Sequence, residues 1–289
     1  MSSSSSSPSS SPALALEVEG VEISFGPVVA LADLSLTVAR EERVAVIGAS
    51  GAGKSTLFAA VTRTVPLAGG RLSVHGEDIT TLGPRAVRAA RRRIGIVYQA
   101  YNLVPQLSVG LNVALGEIAG RSNRSALSAL LRGPGAETSE RVHSALRQVG
   151  LEDRVGDRAG DLSGGQQQRV AVARLLVQRP DLILADEPVA ALDPVTATHV
   201  LRALAEAAEE GATLIVNLHD VSLARRFPRI VALRAGAVVF DGSPEELDDE
   251  VLRRVYASDG VIEEPESRFA RDLVPAPLHD RESYGLRAR

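Results

Sequence analysis

The stretch RVAVIGASGAGKST, residues 43–56, decides the fold, because it joins a short apolar run to a glycine-rich loop and the start of a helical pattern. The loop fits G-x-x-x-x-G-K-[ST], in which glycines allow a tight turn that points N–H groups at phosphate oxygens beside a helix N-terminus. Lys54 can reach the β- and γ-phosphates, and the Ser55 hydroxyl can be a ligand of Mg²⁺. The pattern predicts a nucleoside triphosphate site formed by Gly48, Ser50, Gly51, Ala52, Gly53, Lys54, Ser55 and Thr56.

Lys54 is also the only lysine in the chain, although Lys and Arg together number 32 of the 289 residues. All other basic positions are arginine. An arginine fork does not fit a slot shaped for a compact ammonium, so the two cations are not interchangeable in such a loop. The exception indicates a specific chemical requirement at this position.

Composition excludes several other classes of protein. The formal net charge of -4 argues against a general grip on nucleic acid, and the absence of cysteine excludes disulfides and thiolate metal sites. We interpret the arginine run at 91–93 as part of a solvated helix face. No apolar run approaches the roughly 18 to 20 residues of a membrane-spanning helix, and the N-terminus does not resemble a signal peptide. We expect a cytoplasmic protein that reaches a membrane only through a partner.

Short β-like runs alternate with helical patterns, which predicts an α/β fold. Two strands are predicted at 16–24 and 34–38, and compact apolar runs typical of a buried parallel sheet lie at 43–47, 182–185, 213–217, 230–233 and 237–240. Helical patterns cover 54–64, 165–178 and 194–209, and residues 100–158 predict a helical insertion. Residues 1–14 are predicted to be a disordered Ser/Pro-rich tail, and residues 262–289 a loosely ordered extension.

Two further apolar strands end in polar residues suited to phosphate chemistry. The first ends in Asp186 and Glu187, of which Asp186 is predicted to hold Mg²⁺ and Glu187 to act as general base on an attacking water. The second leads to His219, at the sheet edge where α/β folds bind ligands. We expect this histidine to contact the γ-phosphate and orient the water.

The segment LSGGQQQR, residues 162–169, opens another predicted helix. Ser163 with the two following glycines, Gly165 among them, forms a second helix-terminal cradle for an anion. One chain thus carries two phosphate-binding helix ends but a single lysine-bearing loop. That arrangement is explained if the second cradle serves the nucleotide of another subunit.

LSGGQQQR resembles the signature of the ATP-binding cassette (ABC) ATPases, and the resemblance covers residues 16–261. It implies that Phe25 stacks on adenine and that Gln99, a glutamine of the family's Q-loop, contacts Mg²⁺ and water and links to a membrane partner. It also implies that Asp193 is the D-loop aspartate. Ala191 departs from the serine that many members carry, which puts one contact across the dimer in doubt.

The resemblance implies a P-loop NTPase with a RecA-like core, an antiparallel β-subdomain and an inserted helical subdomain at about 100–172, all within residues 15–261. ATP and Mg²⁺ are the implied cofactors. Two subunits would form a homodimer that encloses two ATP molecules and works with an integral-membrane permease. The chain would then be peripheral, on the cytoplasmic face of the inner membrane.

Several stretches, among them NLVPQLSVGLNV (102–113) and VNLHDVSLA (216–224), are similar to the ATPases of phosphonate importers. The expected function is energy coupling in the import of phosphonate or a related phosphorus oxyanion, with an extracytoplasmic solute-binding protein as an indirect partner. Importers of phosphate, polar amino acids and methionine share some of these strings and remain alternatives. A soluble non-transport ABC ATPase is disfavoured, because the resemblance implies that such proteins usually carry a long coiled-coil insertion or two cassettes in tandem. Here only about 60 residues separate Gln99 from Ser163, and there is one signature.

Overall fold

The protein is described by a computed structural model that covers residues 13–118, 135–190 and 192–257. Ten strands fall into two sheets. They are β1 Leu14–Phe25, β2 Val28–Ala39, β3 Arg43–Ile47, β4 Gly69–Val74, β5 Glu77–Asp78, β6 Ile94–Val97, β7 Leu182–Asp186, β8 Thr213–Asn217, β9 Arg229–Arg234 and β10 Ala237–Gly242.

The larger sheet has the strand order β10-β9-β3-β8-β7-β6. Strands β9, β3, β8, β7 and β6 run parallel, and all of the residues in β7 and β8 are buried. Short apolar sequences form such strands because both faces of a parallel sheet are covered. The carboxyl ends of β3, β7 and β8 therefore meet at one edge, where the predicted polar residues follow.

The smaller sheet is antiparallel, with the strand order β2-β1-β4-β5. Strand β1 has buried residues interspersed with exposed ones along its length, as expected for a sheet with one face against the core. Its buried face forms one apolar cluster with β3 and with the first helix. This sheet therefore supports the glycine-rich loop from the side.

Eight α-helices are described, and three of them form the helical part of the fold. The helices are α1 Lys54–Val61, α2 Pro84–Ala90, α3 Val109–Ile118, α4 Ala136–Gln148, α5 Gly164–Gln178, α6 Pro194–Glu209, α7 Val221–Ala224 and α8 Asp249–Tyr256. Helices α3, α4 and α5 pack together, and at Gly116 a Cβ atom would lie 2.1 Å from the Arg174 carbonyl oxygen. Only glycine allows α3 to approach α5 this closely.

Most predicted strands are confirmed, but the run at 237–240 was assigned wrongly. Strand β10 pairs antiparallel with β9, and none of its residues is buried. Composition alone does not distinguish a half-exposed antiparallel edge strand from a buried parallel one. Strands β4 and β6 were not predicted, and α1 ends at Val61, three residues earlier than expected.

The predicted tail overlaps strand β1, and the arginine run is exposed as expected but also makes structural contacts. Strand β1 begins at Leu14, so the predicted tail overlaps it by one residue; residues 1–12 and 262–289 lie outside the described residues. Arg91 donates to the carbonyls of Thr62 and Arg63 after α1, and Arg93 forms an ion pair with Asp181. Two of the three arginines thus tie elements together.

In the part of the chain that the structure describes, no helix has the length and apolar composition needed to cross a membrane.

Candidate nucleotide-binding site

The glycine-rich loop between β3 and α1 requires glycine at its two ends. Gly48 has φ 149°, and a Cβ there would lie 2.3 Å from the Leu233 carbonyl oxygen. Gly53 has φ 103°, and its Cβ would lie 2.7 Å from the Ala30 carbonyl oxygen. Strands β2 and β9 therefore both contact the loop closely, and a side chain at either glycine would displace it.

Lys54, the first residue of α1, lies buried against this loop. Its ammonium donates to the carbonyl oxygens of Gly48, at 2.7 Å, and Ala49, at 3.1 Å. Burial lowers the pKa of the Lys54 ammonium, and the negative charges of Glu187 and Asp186 partly oppose that effect. The structure thus brings the predicted cation and both predicted carboxylates into one electrostatic site.

The carboxylate of Asp186 is held at the end of β7 by the neighbouring strand. Asp186 is opposite Asn217 in the parallel β7–β8 pair, and the Asn217 amide donates to Asp186 Oδ1 at 2.8 Å. The next residue, Glu187, has φ 51°, a left-handed conformation that is uncommon outside glycine. Its N–H donates to the Asn217 carbonyl oxygen at 3.2 Å. This local twist ends the strand and gives the two successive carboxylates separate surroundings.

Glu187 contacts the predicted histidine. Its Oε1 is in direct contact with His219 Nε2. The His219 side chain is 46% exposed, and that of Glu187 is 13% exposed. Leu218 N–H donates to the Val46 carbonyl oxygen, which holds the residue before His219 against β3. A carboxylate and an imidazole in contact can together hold and move a proton.

The donor set at this edge fits Mg²⁺. Magnesium prefers oxygen ligands and is usually held by one or two carboxylates together with substrate phosphates and water. Asp186 offers the oxygen that Asn217 does not use, and the exposed Ser55 follows Lys54 in α1. Within the described ranges, no group of three or more His, Cys, Asp or Glu residues could bind a metal alone. Such a site would therefore rely on phosphate oxygens to complete the coordination.

Phe25 and Gln99 occupy exposed positions next to the two sheets. Phe25 ends β1 and is 51% exposed, and with Val28 and Val29 it gives the hairpin tip an exposed apolar surface. Gln99 lies in the exposed turn after β6, which pairs with β7. Both positions are compatible with ligand contact, and no hydrogen bond or ion pair among the described residues engages the Gln99 side chain.

The N-terminus of α5 is exposed and caps itself. The Ser163 Oγ accepts from the Gln166 N–H at 3.3 Å, and the Gln166 Oε1 accepts from the Ser163 N–H at 2.9 Å. No hydrogen bond or ion pair among the described residues joins Ser163 or Asp193 to the glycine-rich loop. Asp193 instead caps α6, accepting from the N–H groups of Val195 and Thr196.

A link between the turn after β6 and α5 has no signal in the sequence. The guanidinium of Arg174, midway along α5, donates to the carbonyl oxygens of Tyr101, at 3.0 Å, and Asn102, at 2.6 Å. Both residues have positive φ, which turns their carbonyls toward the arginine. The Asn217 amide was also missed, because a polar residue at a strand end looks like an ordinary boundary. Ala191 lies outside the described residues.

A glycine-rich loop between a parallel strand and a helix, with a buried lysine and strand-end carboxylates, defines a P-loop nucleoside triphosphatase. A family model described as ABC transporter matches residues 31–190. Similar curated proteins include the phosphonates import ATP-binding proteins PhnC of Rhizobium etli, 40% identical over 93% of this chain and 96% of that protein, and PhnC 1 of Rhodopseudomonas palustris, 46% identical over 80% and 82%. The chain belongs to the ABC transporter family and is an ATPase.

Solved structures agree with this assignment. The ATP-binding cassette MJ0796, in a dimeric post-hydrolysis state with ADP and Pi, superposes with a TM-score of 0.70 at 31% identity, covering 79% of this chain and 98% of that one. The ADP conformation of MJ1267, an ABC transporter cassette, gives 0.71 at 26% identity, covering 85% and 99%. These similarities confirm the predicted P-loop NTPase fold.

Proposed function

We propose that this protein is the ATP-hydrolysing, energy-coupling subunit of an importer for phosphonate or a related phosphorus oxyanion. The observation that carries the proposal is the agreement of the similar curated proteins, which include phosphonates import ATP-binding proteins at 38–46% identity over 79–94% of the chain. The described residues contain no feature that would recognise a phosphonate directly. In this proposal, the permease and an extracytoplasmic solute-binding protein contact the solute.

The loop and the strand ends divide the work of hydrolysis between them. Backbone N–H groups of residues 48–56 and the Lys54 ammonium bind the β- and γ-phosphates. Ser55, Asp186 and Gln99 would hold Mg²⁺, which would supply positive charge to offset the charge that develops on the phosphates. Glu187 accepts a proton from the water as its oxygen attacks the γ-phosphorus, and the bond to the ADP oxygen breaks. His219, in contact with Glu187, orients the water and the γ-phosphate.

The exposed groups act on the rest of the nucleotide and on partners. Phe25 stacks on adenine, while Ser163 and Gly165 present the α5 N-terminus to the nucleotide of a second subunit. Asp193 lies at the same dimer interface. Closure of the dimer excludes water from both sites and completes them, and hydrolysis reopens it. The chain works at the cytoplasmic face of the inner membrane, bound to its permease, with no nucleic-acid partner.

The domain boundaries follow from the same assignment. We assign residues 15–261 to the nucleotide-binding domain, with a helical subdomain at about 100–172. This subdomain includes α3, α4 and most of α5. The contact of Arg174, in the last part of α5, with the carbonyls of Tyr101 and Asn102 gives a route between permease and signature helix.

Uptake measurements test the solute assignment. Deletion of the gene in its host should abolish uptake of radiolabelled methylphosphonate, and the wild-type gene should restore it where Glu187→Gln does not. Uptake of phosphate and of polar amino acids should persist in the deletion strain. If methylphosphonate uptake persists and uptake of one of the other solutes is lost, the protein serves another importer. The assignment as an ATPase would not change.

A further inference from the structure

Asn217 is a buried amide at the carboxylate edge of the site. It ends β8, none of its surface is exposed, and it lies opposite Asp186 in the strand register. Its side chain bonds Asp186, and its main-chain carbonyl bonds the N–H of Glu187. One residue therefore contacts both successive carboxylates, through two different groups.

The orientation of the Asn217 amide is fixed by chemistry. An ionised carboxylate only accepts hydrogen bonds, so the amide nitrogen must be the atom that faces Asp186 Oδ1. The Asn217 Oδ1 then points away, and it is buried without a hydrogen-bond partner among the described residues. An apolar side chain of the same shape would leave no such oxygen unpaired, so packing does not explain an asparagine here.

The bond to Asp186 explains it. A carboxylate at a strand end can rotate about its terminal torsion, which is broad and weakly restrained. The 2.8 Å bond to Oδ1 fixes that rotation, and among the described residues no hydrogen bond engages Asp186 Oδ2. One oxygen is thereby anchored to the sheet while the other is left for a ligand.

We propose that Asn217 is a positioning residue of the metal site, whose amide holds the Asp186 carboxylate in the orientation that binds Mg²⁺. This inference rests on the proposed role of Asp186. Partners that orient a metal ligand typically contribute 10- to 100-fold to metal affinity or activity. Replacement of the Asn217 side chain leaves its main-chain bond to Glu187 in place, so the substitution acts on the metal ligand and spares the general base.

The test compares two dissociation constants of ADP, which avoids turnover. One is measured with Mn²⁺, an ion that accepts the same oxygen ligands and is followed by its electron paramagnetic resonance signal; the other is measured in EDTA. Asn217→Leu should raise the constant for the Mn²⁺–ADP complex about 10-fold and leave the constant in EDTA unchanged. If Asn217→Leu does not fold, Asn217→Thr is the second variant, because threonine suits a strand and its hydroxyl ends one bond nearer the backbone than the asparagine amide nitrogen.

Thr213→Val is the matched control. Thr213 begins the same strand, is equally buried, and accepts from the Glu41 N–H, but it lies at the opposite end from the site. Its removal should change neither constant. An unchanged dissociation constant for Mn²⁺–ADP in a folded Asn217 variant would overturn this inference and leave the proposed function standing. If the wild-type constants with Mn²⁺ and in EDTA are equal, the proposed metal site itself fails and the inference falls with it.

Discussion

Helices α1 and α5 both have serine and glycine residues at their N-terminal ends, yet the two ends are built in opposite ways. Helix α1 has glycine at its N-cap, no side-chain cap and a buried lysine as its first residue. Helix α5 has Ser163 at its N-cap, closed by a reciprocal bond with Gln166, and this end is exposed. The first end has its N–H groups open to a ligand, whereas the second has one helix N–H, that of Gln166, bonded by the Ser163 side chain.

The difference indicates how the work is divided between subunits. The α1 end has a cation, two carboxylates and a histidine within one chain, which are the groups that the proposed hydrolysis uses. The α5 end has the Ser163 hydroxyl and backbone dipoles, which can stabilise an anion, but it has no lysine to bind phosphates by itself. The second end therefore needs phosphates that are already bound elsewhere, as the proposed dimer would supply.

The largest expected effect comes from Glu187→Gln at the α1 end. A general base contributes about 10²- to 10⁴-fold to rate, so hydrolysis should fall by that order while ATP binding persists. Phosphate release measures the first and equilibrium binding of labelled ATP the second. We expect the variant to accumulate as an ATP-bound dimer in size-exclusion chromatography. Near wild-type turnover would remove Glu187 as the base.

Lys54→Arg should have the next largest effect on hydrolysis. The ammonium fits between two carbonyl oxygens of its own loop, at 2.7 and 3.1 Å, a space that a planar guanidinium does not fit. We expect hydrolysis to drop about 100-fold, similar to the loss of one preorganised donor. Arg92→Lys is a suitable control, since it exchanges the same two residue types at an exposed position outside the site. Normal kinetics in Lys54→Arg would show that charge alone suffices.

The same contrast shows what the sequence could predict. The α1 site follows from a contiguous motif, and strands β3, β7 and β8 follow from short apolar runs buried on both faces. Strand β6 was missed because it contains Gly95, which is required where a Cβ would lie 2.5 Å from Pro180. The roles of Arg174 and Asn217 depend on long-range packing and strand register, in which each side chain meets a residue at least 31 positions away. No local pattern contains that information.

Ser163→Ala tests whether the α5 end serves the other subunit, with an expected loss of about 10-fold in one site, as for a lost charge-assisted hydrogen bond. Mixed dimers place Lys54→Arg and Ser163→Ala either in one chain or in opposite chains. If the α5 end acts across the interface, the opposite-chain dimer keeps one intact site and the same-chain dimer keeps none. The reverse ranking of ATPase rates would contradict the shared site.

The smallest expected effect, that of Gln166→Leu, decides whether Ser163 acts through helix stability or through phosphate. Gln166→Leu breaks the reciprocal bond at 2.9 Å but leaves the serine hydroxyl in place. Loss of a capping interaction costs about 1 kcal/mol, which lowers Tm by roughly 2–4 °C in a domain of this size. If the hydroxyl binds phosphate, Gln166→Leu and Ser163→Ala should lower Tm to a similar degree, and only Ser163→Ala should slow hydrolysis. Equal losses of activity in the two variants would show that the cap alone explains the serine.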